Sequence, residues 1–320
     1  MTGPSPSTSS SGDQFAVILS ESLGGAEVSR LRRLSGGASR ETWSFEADGR
    51  PLVVQRQRVG DERDMLGEAA VVRLAGEGGV PVAELIVAER TPDGAAFMVL
   101  EAIEGETIAR KIQRDEEYAL ARRVLVRELG TALARVHALD PAGAPGLQPM
   151  DQLAYYTDLL RSLGEPHPVL ELVRNWLLDH RPPLGAPRVV HGDFRLGNVI
   201  VAPDGLGAVI DWELAHLGDP MEDLGWLCVK AWRFGGSEPV AGLGGYDELF
   251  SAYEAAGGQR VDPDVVHWWE VLGTWKWGVI CILQASAHLG GSVRSHELAA
   301  IGRRVCENEY DLFLALDGRW

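Results

Sequence analysis

The stretch that decides the fold is residues 189–213, which read VVHGDFRLGNVIVAPDGLGAVIDWE. Two valines lead into a polar loop that holds Asp193 and ends at Asn198. Two short apolar runs follow, separated by a Pro-Asp-Gly turn, and the second run ends on Asp211. A loop, a strand, a tight turn and a second strand in this order predict one hairpin with three oxygen-bearing side chains at its mouth.

Three such side chains suit phosphoryl transfer, in which a protein orients a hydroxyl nucleophile and holds Mg²⁺ on the phosphates. Asp193 is the candidate acceptor of the hydroxyl proton, and Asn198 and Asp211 offer the hard oxygen ligands that Mg²⁺ prefers. Turn formation alone would explain an Asp or Asn at any one of these positions. It explains all three together with His191 poorly.

The segments HGDFRLGN (191–198) and VIDWE (209–213) resemble the HGDxxxxN and I-D-[WF]-E motifs of the aminoglycoside phosphotransferase family, relatives of the protein kinases. The resemblance runs from about Val28 to the last helices. It implies an α+β, bilobal protein-kinase-like fold with an antiparallel sheet in a small N-lobe and a mainly helical C-lobe. It also implies ATP and Mg²⁺ as cofactors, Asp193 as catalytic base in a loop positioned by His191, and Asn198 and Asp211 as metal ligands.

Composition and spacing divide the chain into three parts. Residues 1–13 are rich in Ser, Pro and Gly and are expected to form a disordered tail. Residues 14–103 are expected to form the nucleotide-binding N-lobe, and residues 104–320 the catalytic and substrate-binding C-lobe. Helical spacing of apolar residues dominates the third part, first over 116–139 and last over 296–316.

Ser35, Gly36, Gly37 and Ser39 form a Gly-Ser turn between two predicted strands. Glycine lets backbone N–H groups approach phosphates closely, although a plain hairpin turn would look the same. The resemblance places the nucleotide-phosphate loop of the family here, so these four residues are candidate cofactor-binding residues.

The next strand, PLVVQRQ (51–57), is where a kinase-like fold carries a cation for the nucleotide phosphates. The resemblance places this cation at Gln55, which has no charge. Arg56 could serve only if the register slipped, because neighbouring residues of a strand point to opposite faces. Glu68 lies where the family carries the partner of the cation, and a surface glutamate in a first helical turn would look the same.

An apolar strand, AFMVL (96–100), runs into the segment EAIEGE, which resembles the hinge between kinase lobes. The resemblance implies that backbone groups of Glu101 and Ile103 bind adenine. In the C-lobe, the segment GDPMEDLGW (218–226) resembles a family sequence, and we expect Asp223 to brace the catalytic loop. The helix predicted over about 264–289 is rich in tryptophan, which is typical of a core or, alternatively, of a substrate-pocket wall.

The net charge of −16 and the sequence pI near 4.9 disfavour a nucleic-acid or anionic-membrane surface. No apolar run reaches the roughly 18 residues of a membrane span, and the N-terminus lacks signal-peptide features, so a cytoplasmic location is expected. Cys228, Cys281 and Cys306 show no CxxC pattern and are expected to be buried thiols. Oligomeric state is not indicated.

Three functions are consistent with these features. The first is an ATP- and Mg²⁺-dependent kinase for a small-molecule hydroxyl, with GTP as an alternative donor. A metal-dependent phosphoesterase needs several histidine ligands, and Val199 rather than His or Asp follows Asn198. A catalytically weak nucleotide-binding module is favoured by the uncharged Gln55. It is disfavoured by the presence of Asp193, Asn198 and Asp211 together, which a binding module does not need. The acceptor stays open among aminoglycosides, macrolides, choline, sugars and, because similar domains are fused to acyl-CoA dehydrogenases, hydroxyacyl compounds.

Overall fold

The computed structural model of the protein describes residues 11–36, 40–58, 63–183 and 185–319. Its first part is a five-stranded antiparallel sheet in the order β1-β2-β3-β5-β4. The strands and helices of this lobe are β1 (Val28–Gly36), β2 (Arg40–Ala47), β3 (Arg50–Gln57), β4 (Leu85–Arg90), β5 (Ala96–Glu101), α1 (Ser11–Ser22) and α2 (Met65–Glu77). The expected antiparallel N-lobe is confirmed.

The second part is mainly helical, as expected, and carries two short hairpins, β6 with β9 and β7 with β8. Its strands are β6 (Arg188–Val190), β7 (Val199–Ala202), β8 (Gly205–Val209) and β9 (His216–Gly218). Its helices are α3 (Ala109–Arg114), α4 (Ala119–His137), α5 (Gln152–Ser162), α6 (Pro168–Asp179), α7 (Met221–Cys228), α8 (Tyr246–Ala255), α9 (Pro263–Leu289), α10 (His296–Gly302) and α11 (Val305–Leu316).

The N-lobe core lies between the sheet and α1. Phe15 and Leu19 of α1 are buried, and the ring of Phe15 packs edge-on against Phe97 of β5 at 6.1 Å. This packing stabilises a helix that begins at Ser11. Residues 11–13, which were expected to belong to a disordered tail, therefore lie in α1, and residues 1–10 lie outside the described part.

The C-lobe core is organised around α9, whose 27 residues are buried on most sides. The indole N–H of Trp275 donates to Leu170 O at 2.9 Å, and that of Trp268 donates to Leu177 O at 3.1 Å. Both bonds join α9 to α6, so these tryptophans belong to the core. The prediction of a single helix over 296–316 is wrong, because a turn at residues 303–304 divides this stretch into α10 and α11. Gly302 ends α10 in a close contact with α9, where an added Cβ would lie 2.5 Å from Ala285 Cβ.

The segment between the lobes is held against the β7–β8 hairpin. Glu106 and Val201 exchange two backbone hydrogen bonds, of 2.9 and 3.0 Å. The preceding Gly105 has φ +152°, and a Cβ there would lie 2.7 Å from Val201 O. Only glycine fits this close approach, so the link between the lobes reaches the β7–β8 hairpin through the backbone.

Two remaining expectations concern cysteines and membranes. Cys228 and Cys281 are buried, but Cys306 is exposed, so the expectation of three buried thiols is wrong for Cys306, which lies in the first turn of α11 with its face toward solvent. Within the described ranges, none of the helices combines the length and the apolar character that a membrane crossing requires.

Candidate active site

The β7–β8 hairpin brings both ends of the segment 191–211 together. Val199 pairs with Val209, and Ile210 N–H donates to Asn198 O at 3.0 Å. His191 Nε2 lies 3.1 Å from Ile210 O and so joins the start of the loop to the end of the hairpin. Asp211 then adopts a left-handed conformation with φ 67° and ψ 62°, which Asp tolerates better than most residues.

Asp193 lies at the centre of this site, and its side chain is 17% exposed. Its carboxylate accepts hydrogen bonds from Trp226 Nε1 at 2.7 Å, Asn198 Nδ2 at 2.6 Å and Arg195 Nε at 3.2 Å. Because the amide nitrogen of Asn198 donates to Asp193, its amide oxygen is the atom that can accept a cation. The carboxylate is oriented from three sides and remains partly open to solvent.

Asp223 of α7 braces the catalytic loop, as expected. Its buried carboxylate accepts from His191 N–H at 2.7 Å and Gly192 N–H at 2.9 Å, and lies 3.1 Å from His137 Nε2. Burial alone would raise the pKa of Asp223, but the hydrogen bond with His137 and the donors around it hold that pKa below its usual range. The brace therefore uses an ionised carboxylate in the protein interior.

The backbone conformation at position 192 requires glycine. Its φ of +79° is left-handed, and an added Cβ would collide with the carbonyl oxygen of Leu214. Glycine is the residue that adopts this conformation without strain.

Lys276 of α9 contacts the loop that carries Gly192 and Asp193, and no sequence motif pointed to it. Its Nζ donates to Gly192 O at 3.3 Å and lies 4.5 Å from the ring centroid of Trp226. Burial lowers the pKa of Lys276, while the charges of Glu222, Asp193 and Asp223 act to raise it. A single lysine between two tryptophans of an apolar helix was the available signal for this residue.

A narrow cleft lies between the lobes. Its apolar walls are Val72, Val82, Ala83, Met98, Leu100 and Val209, and its polar residues are Gln55, Glu68 and Asp211. Leu100 of β5 lines this cleft, whereas Glu101, which ends β5, and Ile103, next to Gly207 of β8, follow it without lining the cleft. The structure thus brings Gln55, Glu68 and Asp211 to one cleft, and adenine binding by Glu101 and Ile103 stays a prediction.

The expected phosphate loop is only partly described. Ser35 and Gly36 end β1, where they pair with Thr42 and Glu41 of β2. Gly37 and Ser39 lie outside the described residues, so their assignment stays a prediction.

Arg56 does not join the cleft. It points to the opposite face of β3 from Gln55, where Nη2 lies 2.7 Å from Asp93 Oδ2 and the guanidinium stacks 5.0 Å from the ring centroid of Phe15. The alternation of side chains along a strand causes this separation.

A different arginine, Arg40 of β2, contacts the expected cation position. Its Nη1 donates to Gln55 Oε1 and Glu68 Oε1, each at 2.9 Å. Its Nη2 donates to Glu68 Oε2 at 2.9 Å and to Glu213 Oε2 at 2.7 Å. No motif in the sequence pointed to this role of Arg40.

Burial of Arg40 would lower its pKa, but hydrogen bonding and attraction to Glu68, with further attraction to Glu213 and Asp211, raise it above its usual range. Burial raises the pKa of Glu68, even though the hydrogen bonds from Arg40 pull it down. Arg40 is therefore a permanent cation held among carboxylates.

The donor set fits an open magnesium site. Among the described residues, no group of three or more His, Cys, Asp or Glu side chains is placed to enclose a metal. Mg²⁺ commonly takes one or two carboxylate or amide oxygens from the protein and fills its other positions with water and phosphate oxygens. Asn198 and Asp211, next to the interlobe cleft, match this pattern.

Comparison with known proteins agrees with this geometry. The sequence profile of the phosphotransferase enzyme (APH) family matches residues 30–268. Acyl-CoA dehydrogenase family member 10 of Mus musculus is 26% identical over 215 residues, which are 62% of this chain and 20% of that protein. Acyl-CoA dehydrogenase family member 11 of Gallus gallus is 25% identical over 213 residues, 61% of this chain and 27% of that protein. The chain thus matches only about a fifth to a quarter of these relatives.

Solved structures share the fold. A Ralstonia eutropha protein provisionally described as an aminoglycoside phosphotransferase superposes with TM-score 0.75 at 21% identity, covering 95% of this chain and 97% of its own. A macrolide 2′-phosphotransferase from Brachybacterium faecium superposes with TM-score 0.63 at 20% identity, covering 90% and 97%. Spectinomycin phosphotransferase in complex with ADP and spectinomycin superposes with TM-score 0.66 at 13% identity, covering 94% and 97%. With the profile match over most of its length, the chain belongs to the phosphotransferase enzyme family and has its kinase-like fold.

Proposed function

We propose that the protein is an ATP- and Mg²⁺-dependent phosphotransferase that moves the γ-phosphate to a hydroxyl group of a small molecule. One observation carries the proposal: the hairpin β7–β8 brings Asp193, Asn198 and Asp211 together beside an interlobe cleft. A carboxylate for the hydroxyl and two oxygen ligands for a cation are the protein groups that this reaction needs.

Asp193 orients the acceptor hydroxyl and takes its proton. The donors from Trp226, Arg195 and Asn198 fix the carboxylate, and Asp223 fixes the loop on which it lies. Catalysis then depends mainly on positioning. Asn198 and Asp211 would hold Mg²⁺, which neutralises charge on the phosphates when it is bound.

The apolar cleft would take the nucleotide base, with backbone groups of Glu101 and Ile103 as its hydrogen-bonding partners. Relatives of the same fold bind ADP, in spectinomycin phosphotransferase, or GDP, in aminoglycoside 2′-phosphotransferase-IIIa. Support for ATP comes from the shared fold, and competition between ATP and GTP for transfer would test the choice. A cytoplasmic location follows for this proposal, since ATP and Mg²⁺ are supplied there.

The acceptor is proposed as an alcohol of low molecular weight. The names of the relatives mention aminoglycosides, a macrolide and acyl-CoA dehydrogenases, so the acceptor panel should hold hydroxyl compounds of each kind, including hydroxyacyl thioesters. Because the panel includes polycationic aminoglycosides as well as apolar hydroxyl compounds, the acceptors that become labelled show which of these classes the protein uses.

The test is transfer of label from [γ-³²P]ATP, with Mg²⁺, to this panel. Asp193→Asn should lower transfer by about 10²–10⁴-fold, the usual contribution of a positioned base. Asp204→Asn is the matched control, because Asp204 is exposed in the turn of the same hairpin, and it should keep wild-type activity.

Each alternative function gives a different result in the same assay. Label released to water by the wild-type protein, with no acceptor labelled, would favour a phosphoesterase. Nucleotide binding without transfer to any acceptor or to water would favour a binding module. Transfer that survives Asp193→Asn would remove Asp193 from the proposed mechanism.

A further inference from the structure

Gln55 and Glu68 line the interlobe cleft, and both contact an arginine of β2, Arg40, which lies just outside that cleft. In the β2–β3 ladder, Thr42 pairs with Gln55 and Arg40 pairs with Gln57. Residues two apart on a strand share a face, and diagonal neighbours across an antiparallel pair lie about 7–8 Å apart. The long side chain of Arg40 covers that distance and places Nη1 2.9 Å from Gln55 Oε1.

Arg40 also takes the carboxylate that a β3 cation would take. Glu68 of α2 receives two hydrogen bonds of 2.9 Å from Nη1 and Nη2, and the two side chains are only 11% and 7% exposed. The paired, parallel geometry is the strong form of the arginine–carboxylate interaction. The ion pair between sheet and helix is therefore present, with its positive member on the neighbouring strand.

The remaining contact of Arg40 crosses to the C-lobe. Nη2 lies 2.7 Å from Glu213 Oε2, and Arg63 Nη1 lies 2.7 Å from the same oxygen. Carboxylate and phosphate oxygens present similar acceptors to a guanidinium. Nη2 can therefore exchange Glu213 for a phosphate oxygen while Nη1 stays on Glu68 and Gln55, and Glu213 keeps its contact with Arg63.

We propose that Arg40 binds the phosphates of the nucleotide in place of a β3 cation, with Glu68 and Gln55 as the residues that hold it. The inference rests on the proposed function, since it concerns the nucleotide of that same site. It also gives Gln55 a specific role. Gln55 is uncharged and stands where a kinase-like fold carries a cation, and it accepts a hydrogen bond from Arg40, the arginine that supplies the positive charge instead.

The experiment compares binding of Mg·ATP, ADP and adenosine by calorimetry. Arg40→Gln should weaken ATP and ADP binding about 10- to 100-fold, the fold-change for losing a charged hydrogen bond, and leave adenosine within about twofold. Adding Gln55→Lys to Arg40→Gln returns a cation beside Glu68 and should recover at least about tenfold of the ADP affinity.

The matched control is Arg30→Gln. Arg30 belongs to the same β1–β2 hairpin and forms an exposed ion pair with Glu46 at 2.7 Å. Its replacement should leave all three affinities at the wild-type values.

The inference is overturned if Arg40→Gln binds ADP as the wild type does, or if it loses adenosine affinity to the same degree, which indicates structural damage alone. If Arg40→Gln does not fold, the double variant decides: near-wild-type ADP binding supports the inference and loss of ADP binding overturns it. Phosphate transfer that is insensitive to Arg40 would refute only this inference. ATP binding that depends on Arg40, without transfer to any acceptor, would refute only the proposed function.

Discussion

Replacing Asp223 with Asn tests how the catalytic loop is held. The buried carboxylate accepts from two backbone N–H groups, of His191 and Gly192, and contacts His137. Asparagine has the same shape but offers one acceptor oxygen and one donor nitrogen. Whichever way the amide turns, one backbone N–H then faces another donor.

The magnitude follows from these contacts. A buried donor without an acceptor costs about 1–3 kcal/mol, and a remaining hydrogen bond that loses its charged acceptor weakens by about 1 kcal/mol. The sum is about 2–4 kcal/mol. At about 1.5 °C per kcal/mol for a chain of 320 residues, the midpoint of thermal unfolding should fall by about 3–6 °C.

Circular dichroism would measure the midpoint, and hydrogen exchange would measure protection of the Gly192 amide, which should decrease. Asp262→Asn is the control, because Asp262 is the exposed N-cap of α9 and accepts from Asp264 N–H at 3.0 Å, and Asn caps helices as well as Asp. The brace is refuted if Asp223→Asn unfolds within about 1 °C of the wild type and the Gly192 amide keeps its protection.

Three further changes test other parts of the site. Gly192→Ala should destabilise the protein by about 1–3 kcal/mol, whereas Gly94→Ala, also left-handed but in open space, should cost about 1 kcal/mol in the same melting assay; equal costs would contradict the steric argument. Trp226→Phe removes the 2.7 Å bond to Asp193 and should lower kcat about 10- to 100-fold with little change in KM for ATP; an unchanged kcat would contradict it. Burial would lower the pKa of His216, but its hydrogen bond to a glutamate raises it above 6.5, so its contribution to stability is present below pH 6.5 and lost as pH rises through the raised value. His216→Gln should remove that decline in urea titrations, and an unchanged pH profile would count against it.

The sequence by itself determined the parts of the protein that depend on neighbours along the chain. The Pro-Asp-Gly turn sets a hairpin register that puts Asn198 and Asp211 at one end, and the loop before it carries Asp193. Most helix positions, apart from the division between α10 and α11, followed from apolar spacing, because the same periodicity that stabilises a helix against a core is visible in the residues. The α+β, two-lobed class was predictable only through the resemblance of the motifs at 191–198 and 209–213 to the aminoglycoside phosphotransferase family.

Tertiary structure alone decided which distant side chains meet. Asp223 and Lys276 reach the catalytic loop from α7 and α9, and Arg40 reaches Glu68 across 28 positions of the chain. Strand alternation could separate Arg56 from Gln55, but it could not show that a residue of β2 supplies the missing charge. The pairing of a buried charge depends on sheet register and on how helices pack over the sheet. Both are set by burial of the whole core, so no local pattern of residues encodes them.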